Sequence, residues 1–301
     1  MQSVLKLSLD EAFKIISDAV SERLDELLPP IDQSLEAKIF DAMRYSSMSG
    51  GKRLRPFLTY ITAMMFNVSH DSAINTACAI EMIHTYSLIH DDLPAMDDDT
   101  VRRGKPTCHI MFDEATAILA GDALLTYAFE ILASEKAHPD TAVRCELISR
   151  VASSSGHSGM VGGQMIDMEA QNLELSISEI TRLQRMKTGE LFAVACEAGT
   201  ILGKASKNIK NAIRSYAISV GLAYQIIDDL LDIIGDDKIV GKTLRKDSSQ
   251  NKATIVSILG AEAAYNQAKL LTEQAIHHLS VFDEEARLLR ELAVFINDRS
   301  L

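Results

Sequence analysis

Between Glu81 and Thr107 the chain reads EMIHTYSLIHDDLPAMDDDTVRRGKPT, a stretch with five aspartates, two histidines and two adjacent arginines. Far downstream, in YQIIDDLLDIIG, Asp228, Asp229 and Asp232 interrupt an otherwise apolar run. Like charges 4 Å apart repel by roughly 4 kcal/mol per pair at an effective dielectric of 20, so two such clusters brought together demand cations. Neither DDLPAMDDD nor DDLLD contains His or Cys. Oxygen-only donors suit magnesium, which keeps several waters and is usually completed by phosphate groups. The pattern favours magnesium ions held between the two clusters and a diphosphate. DDLPAMDDD alone reads equally well as a solvated helix face. Aspartates inside a buried apolar segment are costly unless they line a working cavity, which sets YQIIDDLLDIIG apart.

Positive charge is available to meet such an anion. GGKRLRP at 50–56 places Lys52, Arg53 and Arg55 beside two glycines that let backbone amides approach a ligand, although a solvated helix-entry loop would look the same. Arg102, Arg103, Lys187, Lys242 and Lys252 add to it, and arginine can grip phosphate oxygens with two parallel hydrogen bonds. His84 and Asp91, seven apart, share a helix face about 10 Å from each other, which makes His84 a candidate for a second anion rather than a structural histidine.

These groups need elements that turn them toward one another. Asp91 and Asp97 are six apart, so a straight helix would point them about 240° away from each other. Pro94 cannot donate to the carbonyl of His90, and a break there would bring Asp97 round. Asp228 and Asp232, four apart, already stack. Ser8 and Glu11 read as a capping box for a helix that Pro29-Pro30 stops. A second helix is predicted over about 34–47, a third is opened by Pro56, and a fourth is capped by Asp71 and runs to Asp91. Further helices are predicted near 113–134, 139–170, 179–203, 209–234, 260–279 and 283–298, the last capped by Asp283. Gly235 and Gly241 bracket a polar connection to Lys252.

Composition agrees with an all-α fold: 47% apolar, 5% aromatic, six Pro and no Trp. A net charge of −12 argues against nucleic-acid binding, which needs a basic surface. Cys78, Cys108, Cys145 and Cys196 are widely spaced, and read as buried free thiols in a reducing compartment rather than a zinc site or disulfides. The N-terminus lacks the pattern of a cleaved signal, and no run reaches the ~18 apolar residues of a membrane span. The expectation is a soluble, cytoplasmic protein, with 1–301 as a single domain because the two acidic clusters must meet.

Taken together, GGKRLRP at 50–56, HTYSLIHDDLPAMDDDTVRRGKPT at 84–107, GMVGGQMIDM at 159–168, MKTGELF at 186–192 and YQIIDDLLD at 224–232 resemble the trans-isoprenyl diphosphate synthases, in particular the bacterial-type farnesyl diphosphate synthases. The similarity runs over essentially the whole chain. It implies an isoprenoid-synthase-type bundle of about ten or more helices around a central cavity, usually a homodimer. The implied reaction is magnesium-assisted ionisation of an allylic diphosphate, attack by isopentenyl diphosphate and proton loss, with dimethylallyl and geranyl diphosphates as allylic substrates. By the same resemblance Asp91, Asp97 and Asp228 would bind magnesium, as three ions once substrate is present, with Asp92 and Asp232 nearby. Lys52, Arg55, His84 and Arg103 would hold isopentenyl diphosphate. Arg102, Lys187 and Lys252 would hold the allylic diphosphate with Lys242 near it, while Thr188 and Gln225 would line the reacting centre.

Tyr86, about 7.5 Å down the helix from Asp91, looks like the bulky stop that the resembling farnesyl synthases carry near this position, which implies a fifteen-carbon product. If it were ordinary core, a geranylgeranyl diphosphate synthase would be the reading. A terpene cyclase would have little use for GGKRLRP and His84, and a silent regulatory subunit little use for intact aspartates. The chain departs from the family after Asp232, where Arg245, Ile255 and Val256 stand at positions usually held by Gly, Tyr and Pro.

Overall fold

The computed structural model describes residues 4–170, 173, 175–234 and 254–298. The predicted polar connection between Gly235 and Lys252, with Lys242 and Lys252 themselves, lies outside the described residues. Helix dominates everything else. Helix α1 (Leu9–Leu27) begins at the predicted capping box: the Glu11 N–H donates to Ser8 Oγ and the Ser8 N–H to Glu11 Oε2. Such a cap stabilises a helix by about 1 kcal/mol. Ala12, Ile16, Val20 and Leu24 form its buried stripe. After α2 (Ala37–Ser47), α3 (Leu54–Met65) carries Pro56 in its first turn.

Helix α4 (His70–Asp91) is the centre of the bundle, buried on every side between α3 and α6 (Glu114–Ala133). Its cap is Ser69, whose Oγ accepts from the Ser72 N–H, and not Asp71 as predicted. Asp71 sits in the first turn, where a negative charge favours the helix dipole, and pairs with Arg23. Between α4 and α6 come a hairpin of β1 (Val101–Arg102) and β2 (Lys105–Pro106), closed by Arg103 and Gly104 at positive φ, and the short α5 (Cys108–Met111). The sequence reading missed this hairpin because its strands are two residues long. Helix α6 contains an 18-residue window of mean hydropathy 1.4, long and apolar enough by length and composition alone to cross a membrane, although Asp122 interrupts it, so the absence of an uninterrupted apolar run of that length stands. Here it packs on α4 with 44% of that window buried.

The single helix predicted over 139–170 is two, α7 (Thr141–Ser155) and α8 (Met160–Ala170). A Cβ at Gly159 would lie 1.9 Å from the Ser154 carbonyl oxygen, so the turn between them admits only glycine there. The segment predicted over 179–203 begins as α9 (Ile177–Gln184), widens into a π turn at Arg185–Gly189 and continues as α10 (Glu190–Leu202). Helix α11 (Lys207–Ile234) packs against α10 and, through its other side, against the C-terminal helices α12 (Ile255–Leu259), α13 (Ala261–His278) and α14 (Arg287–Asn297). Asp283 makes no side-chain cap; a 3-10 turn, Glu284–Ala286, leads into α14 instead. One apolar cluster runs from Val4 to Ile296, and a smaller one centred on Ile226, Ile227 and Leu230 backs the acidic end of α11. All four cysteines are free, but Cys145 is exposed, against the expectation that all are buried.

Candidate active site

Helix α4 ends where the chemistry begins. Beyond Asp91 the chain folds back on the last turn: the Asp97 N–H donates to the Asp91 carbonyl at 2.8 Å, Asp98 N–H to Leu93 at 3.1 Å and Asp99 N–H to Asp92 at 3.2 Å. Asp98 takes a positive φ of 50° to make the reversal. The break expected at Pro94 therefore exists and ties Asp97 to Asp91. Burial pushes the Asp91 carboxyl up to about 6; Lys187 opposes the shift, while Asp97 and Asp92 add to it. Arg102 forks onto Asp92, with Nε 2.7 Å from Oδ1 and 3.0 Å from Oδ2 and Nη2 2.6 Å from Oδ1, and its Nη2 lies 3.6 Å from Asp99. Asp92 is 3% exposed, so this buried pair fixes the hairpin against α4 and commits much of Arg102 to protein.

Beneath this turn lies a cavity of about 430 Å³, within the usual size range of small-molecule sites. Arg55, His84, Asp91, Lys187 and Thr188 line it together with an apolar set that includes Tyr86, Met96, Met160, Met165 and Met168. Arg55 Nη1 lies 3.3 Å from His84 Nε2, and its guanidinium stacks over Phe192 at 4.8 Å. Burial, then the charge of Arg55 and its neighbouring arginines, drives the His84 pKa well below the ordinary histidine value. His84 is thus neutral, and Nε2 accepts from Arg55.

The rest of GGKRLRP behaves differently. Arg53, buried at positive φ, bonds Glu81 at 2.7 Å and the Ser47 carbonyl at 2.6 Å, which pins the start of α3. Arg103 donates to the Gly50 carbonyl. A Cβ at Gly51, φ 121°, would lie 2.5 Å from the Arg103 Cζ, so that glycine makes room for an arginine rather than only for a ligand. Lys52 is exposed.

On the opposite wall the π turn presents consecutive side chains to different partners. Lys187 Nζ sits 2.5 Å from Asp167 Oδ2 on α8. Burial pulls the Lys187 pKa down, but Asp167, Asp91 and Asp97 more than offset it and the net shift is upward, so Lys187 stays charged. Thr188 Oγ1 donates to Gln225 Oε1 at 3.0 Å, Gln225 Nε2 donates to Asp229 Oδ1 at 2.7 Å, and Gln184 Nε2 donates to Asp229 Oδ2 at 3.2 Å. One turn of chain thereby joins the α4 carboxylates to the acidic end of α11. The residue that closes the π turn is held too: Arg214 and Arg150 pair with Glu190 at 2.7 and 3.2 Å and with Glu197 at 2.8 and 2.9 Å.

Of the predicted site residues, Arg55, His84, Tyr86, Asp91, Lys187 and Thr188 line one cavity, Gln225 joins them through Thr188, and Asp97 joins through its bond to Asp91. Asp228 is half-buried three residues beyond Gln225 and is not among the cavity-lining residues. Asp167 and Gln184 were missed, although GMVGGQMIDM already singled out the segment that carries Asp167, while Asp229 and Arg53 were named only as members of the acidic cluster and the basic triplet.

Among the described residues no three His, Cys, Asp or Glu side chains gather closely enough to form a metal-binding group on their own. The donor set nevertheless fits magnesium, which takes one or two carboxylates and completes its shell with phosphate oxygens and water. Asp232, 2% exposed, has both carboxylate oxygens buried without a hydrogen-bond partner, and Asp91 is held among like charges. Both are what a cation would relieve.

A helical cage whose single cavity is lined by carboxylate and basic groups together with apolar side chains fits a class of enzyme that works on the anionic head of a hydrophobic chain. Residues 36–290 match the family described as polyprenyl synthetase. A geranylgeranyl diphosphate synthase of Cyanophora paradoxa is 43% identical over 277 residues, 92% of each chain. A farnesyl diphosphate synthase of Escherichia coli is 43% identical over 268 residues, 87% of this chain and 89% of the other. The apo crystal structure of an FPP/GFPP synthase from Zymomonas mobilis superposes with a TM-score of 0.88 at 46% identity, covering 96% of this chain and 98% of that one. The chain belongs to the polyprenyl synthetase family and is a trans-prenyl diphosphate synthase.

Proposed function

We propose that this chain, folded as one domain and acting as a cytoplasmic homodimer, condenses isopentenyl diphosphate with dimethylallyl and then geranyl diphosphate to give (2E,6E)-farnesyl diphosphate. The observation that supports the reading is the mixed lining of one cavity: Asp91, Lys187 and Thr188 among the polar groups, Tyr86 among the apolar. A diphosphate belongs with the first set and a prenyl chain with the second. The outward face of α6, with Ile118 and Leu119 exposed, offers apolar surface for a second copy to cover.

Arg55 with neutral His84, and beside them Arg103 and Lys52, would hold isopentenyl diphosphate. Lys187, with Arg102, Lys242 and Lys252, would hold the allylic diphosphate, and a fixed ammonium there stabilises negative charge as the carbon–oxygen bond breaks. Magnesium, when bound by Asp91, Asp97 and Asp228 in as many as three ions, would supply further neutralisation of the leaving diphosphate. The Thr188 proton is committed to Gln225, so the hydroxyl presents lone pairs to the cavity and can stabilise positive charge on the allylic carbon. The carbon–carbon bond then forms from the isopentenyl double bond and one proton leaves. Among the described residues no side chain is placed as its base, and the departing pyrophosphate is the acceptor we assign.

A geranylgeranyl product is the second reading, favoured by the methionine-rich wall, since unbranched thioether side chains repack easily around a longer chain. Incubating the purified protein with isopentenyl and dimethylallyl diphosphates and magnesium, then sizing the dephosphorylated products, tests both. A dominant fifteen-carbon alcohol is expected; a dominant twenty-carbon alcohol selects the second reading. Failure to consume isopentenyl diphosphate would reject both.

A further inference from the structure

On the reading that this cavity takes the growing prenyl chain, the geometry points to His90 as a specificity-determining residue whose place is reserved by Gly121, the two together setting how long a chain the cavity admits. His90 and Tyr86 are one helical turn apart on α4 and both line the cavity. Their rings meet edge to face, 5.7 Å between centroids at 79°. On its far side the imidazole is docked on α6: Nε2 lies 3.1 Å from the Ile118 carbonyl oxygen. A carbonyl only accepts, so Nε2 carries the hydrogen and donates. Asp122 Oδ1 lies 3.9 Å away on the same side.

The close fit depends on an absent side chain. A Cβ at Gly121 would stand 2.2 Å from His90 Nε2, 2.6 Å from Cδ2 and 2.9 Å from Cε1. The ring therefore rests on the bare α-carbon of Gly121, pulled back from the cavity as far as α6 allows. Any side chain at 121 would force the imidazole off the Ile118 carbonyl and toward Tyr86 and the cavity, because α6 closes the other direction. Removing the ring would open the cavity toward α6 and take away the edge that steadies Tyr86. Tyr86 is thus half of a two-ring floor, and His90, although it adjoins Asp91, packs with Tyr86 to form the other half.

The test sizes products and measures rates from isopentenyl diphosphate with either dimethylallyl or geranyl diphosphate for wild type, His90→Ala, Gly121→Ala and the double variant, with folding checked by circular dichroism. One methylene of pocket is worth roughly 10–200-fold in discrimination. His90→Ala should raise the twenty- to fifteen-carbon ratio by about tenfold or more, and Gly121→Ala should slow elongation of geranyl diphosphate by about tenfold while elongation of dimethylallyl diphosphate is spared. The double variant should behave as His90→Ala, since the ring that the new methyl strikes is gone. His90→Gln keeps a donor for the Ile118 carbonyl without the ring, and should fold and lengthen products even if His90→Ala does not fold. An active enzyme with unchanged product lengths in all variants would overturn the assignment of His90 alone. A Gly121→Ala defect that persists in the double variant would show that the glycine serves something other than His90, and a wild type that forms no prenyl diphosphate would overturn the underlying reading as well.

Discussion

Lys187 Nζ lies 2.5 Å from Asp167 Oδ2 while the same ammonium faces the carboxylates of Asp91 and Asp97. One cation thus couples α8 to the C-terminal end of α4, and on the proposed reading Asp167 acts by aiming Lys187. Asp167→Asn keeps the volume and loses the charge. Steady-state kinetics should show kcat falling about tenfold to a hundredfold with a smaller change in KM, as when an interaction made in the transition state is misplaced. In a double-mutant cycle with Lys187→Ala the losses should not add, because the two residues share one function.

Thr188→Val removes the hydroxyl that Gln225 Oε1 accepts from, and breaks the chain that runs on to Asp229 and Gln184. A part-buried carbonyl left without its donor costs about 1–3 kcal/mol, so the melting temperature should drop. Turnover should fall by about tenfold or more if the lone pairs of Thr188 face developing positive charge. Thr188→Ser, which restores the hydroxyl, should recover most of the rate.

Asp91→Asn should stabilise the protein and disable it. The folded carboxyl is pushed up to about 6, against an ordinary value of 3.8. A raised carboxylate pKa means that the folded state binds the proton more tightly, so the cost of charging Asp91 grows as pH rises from about 3.8 to 6 and is full above that. In the absence of divalent ions and substrate the variant should gain about 1–3 kcal/mol at pH 7.5, measured by urea denaturation, and the gain should shrink toward zero as pH falls through that window. Turnover should drop at least a hundredfold, since the same charge is assigned to the cation. A variant that is less stable at pH 7.5 would mean that Asp91 is a paired structural carboxylate.

How much of this was legible in advance depended on whether the signal was local. Ser8 with Glu11 and Pro29-Pro30 act over one or two turns, and the helix they bound is there. Pro94 likewise announced the turn that ties Asp97 to Asp91. The π turn at Arg185–Gly189 was not legible, because a widened turn leaves the residues around it helical and shows itself only in partners far along the chain. The division of GGKRLRP into a buried Arg53 and a cavity-lining Arg55 was equally hidden, since adjacent basic residues look alike until Glu81 and His84 are placed across from them. Asp167 could have been suspected only as an acid inside a glycine-rich helical segment, a pattern with many uses.

Tyr86→Ala tests the floor from its other half. The ring is 6% exposed and meets the cavity, and deleting it leaves a hole continuous with the site. Incubation with isopentenyl and geranyl diphosphates should shift products from fifteen toward twenty carbons or more, by about tenfold in ratio, with consumption of geranyl diphosphate little changed. An unchanged product profile would make Tyr86 ordinary core.

Two glycines separate positioning from packing. A Cβ at Gly163 would stand 2.2 Å from the backbone nitrogen of Lys187, and one at Gly199 would stand 2.4 Å from the backbone nitrogen of Ala63. Backbone cannot swing aside as a side chain can, so Gly163→Ala and Gly199→Ala should each lose about 1–3 kcal/mol by overpacking, read as similar falls in melting temperature. Their effects on turnover should differ. Gly163→Ala moves the π turn that presents Lys187 and Thr188, and a shift of about 1 Å there is enough for a hundredfold loss. Gly199→Ala strains the seam between α10 and α3, away from the cavity, so at temperatures where both variants are folded it should keep a rate within a few-fold of wild type. Equal losses of turnover in the two would mean that the π turn is no more sensitive than the rest of the bundle, and that Lys187 needs only to be nearby rather than to be aimed.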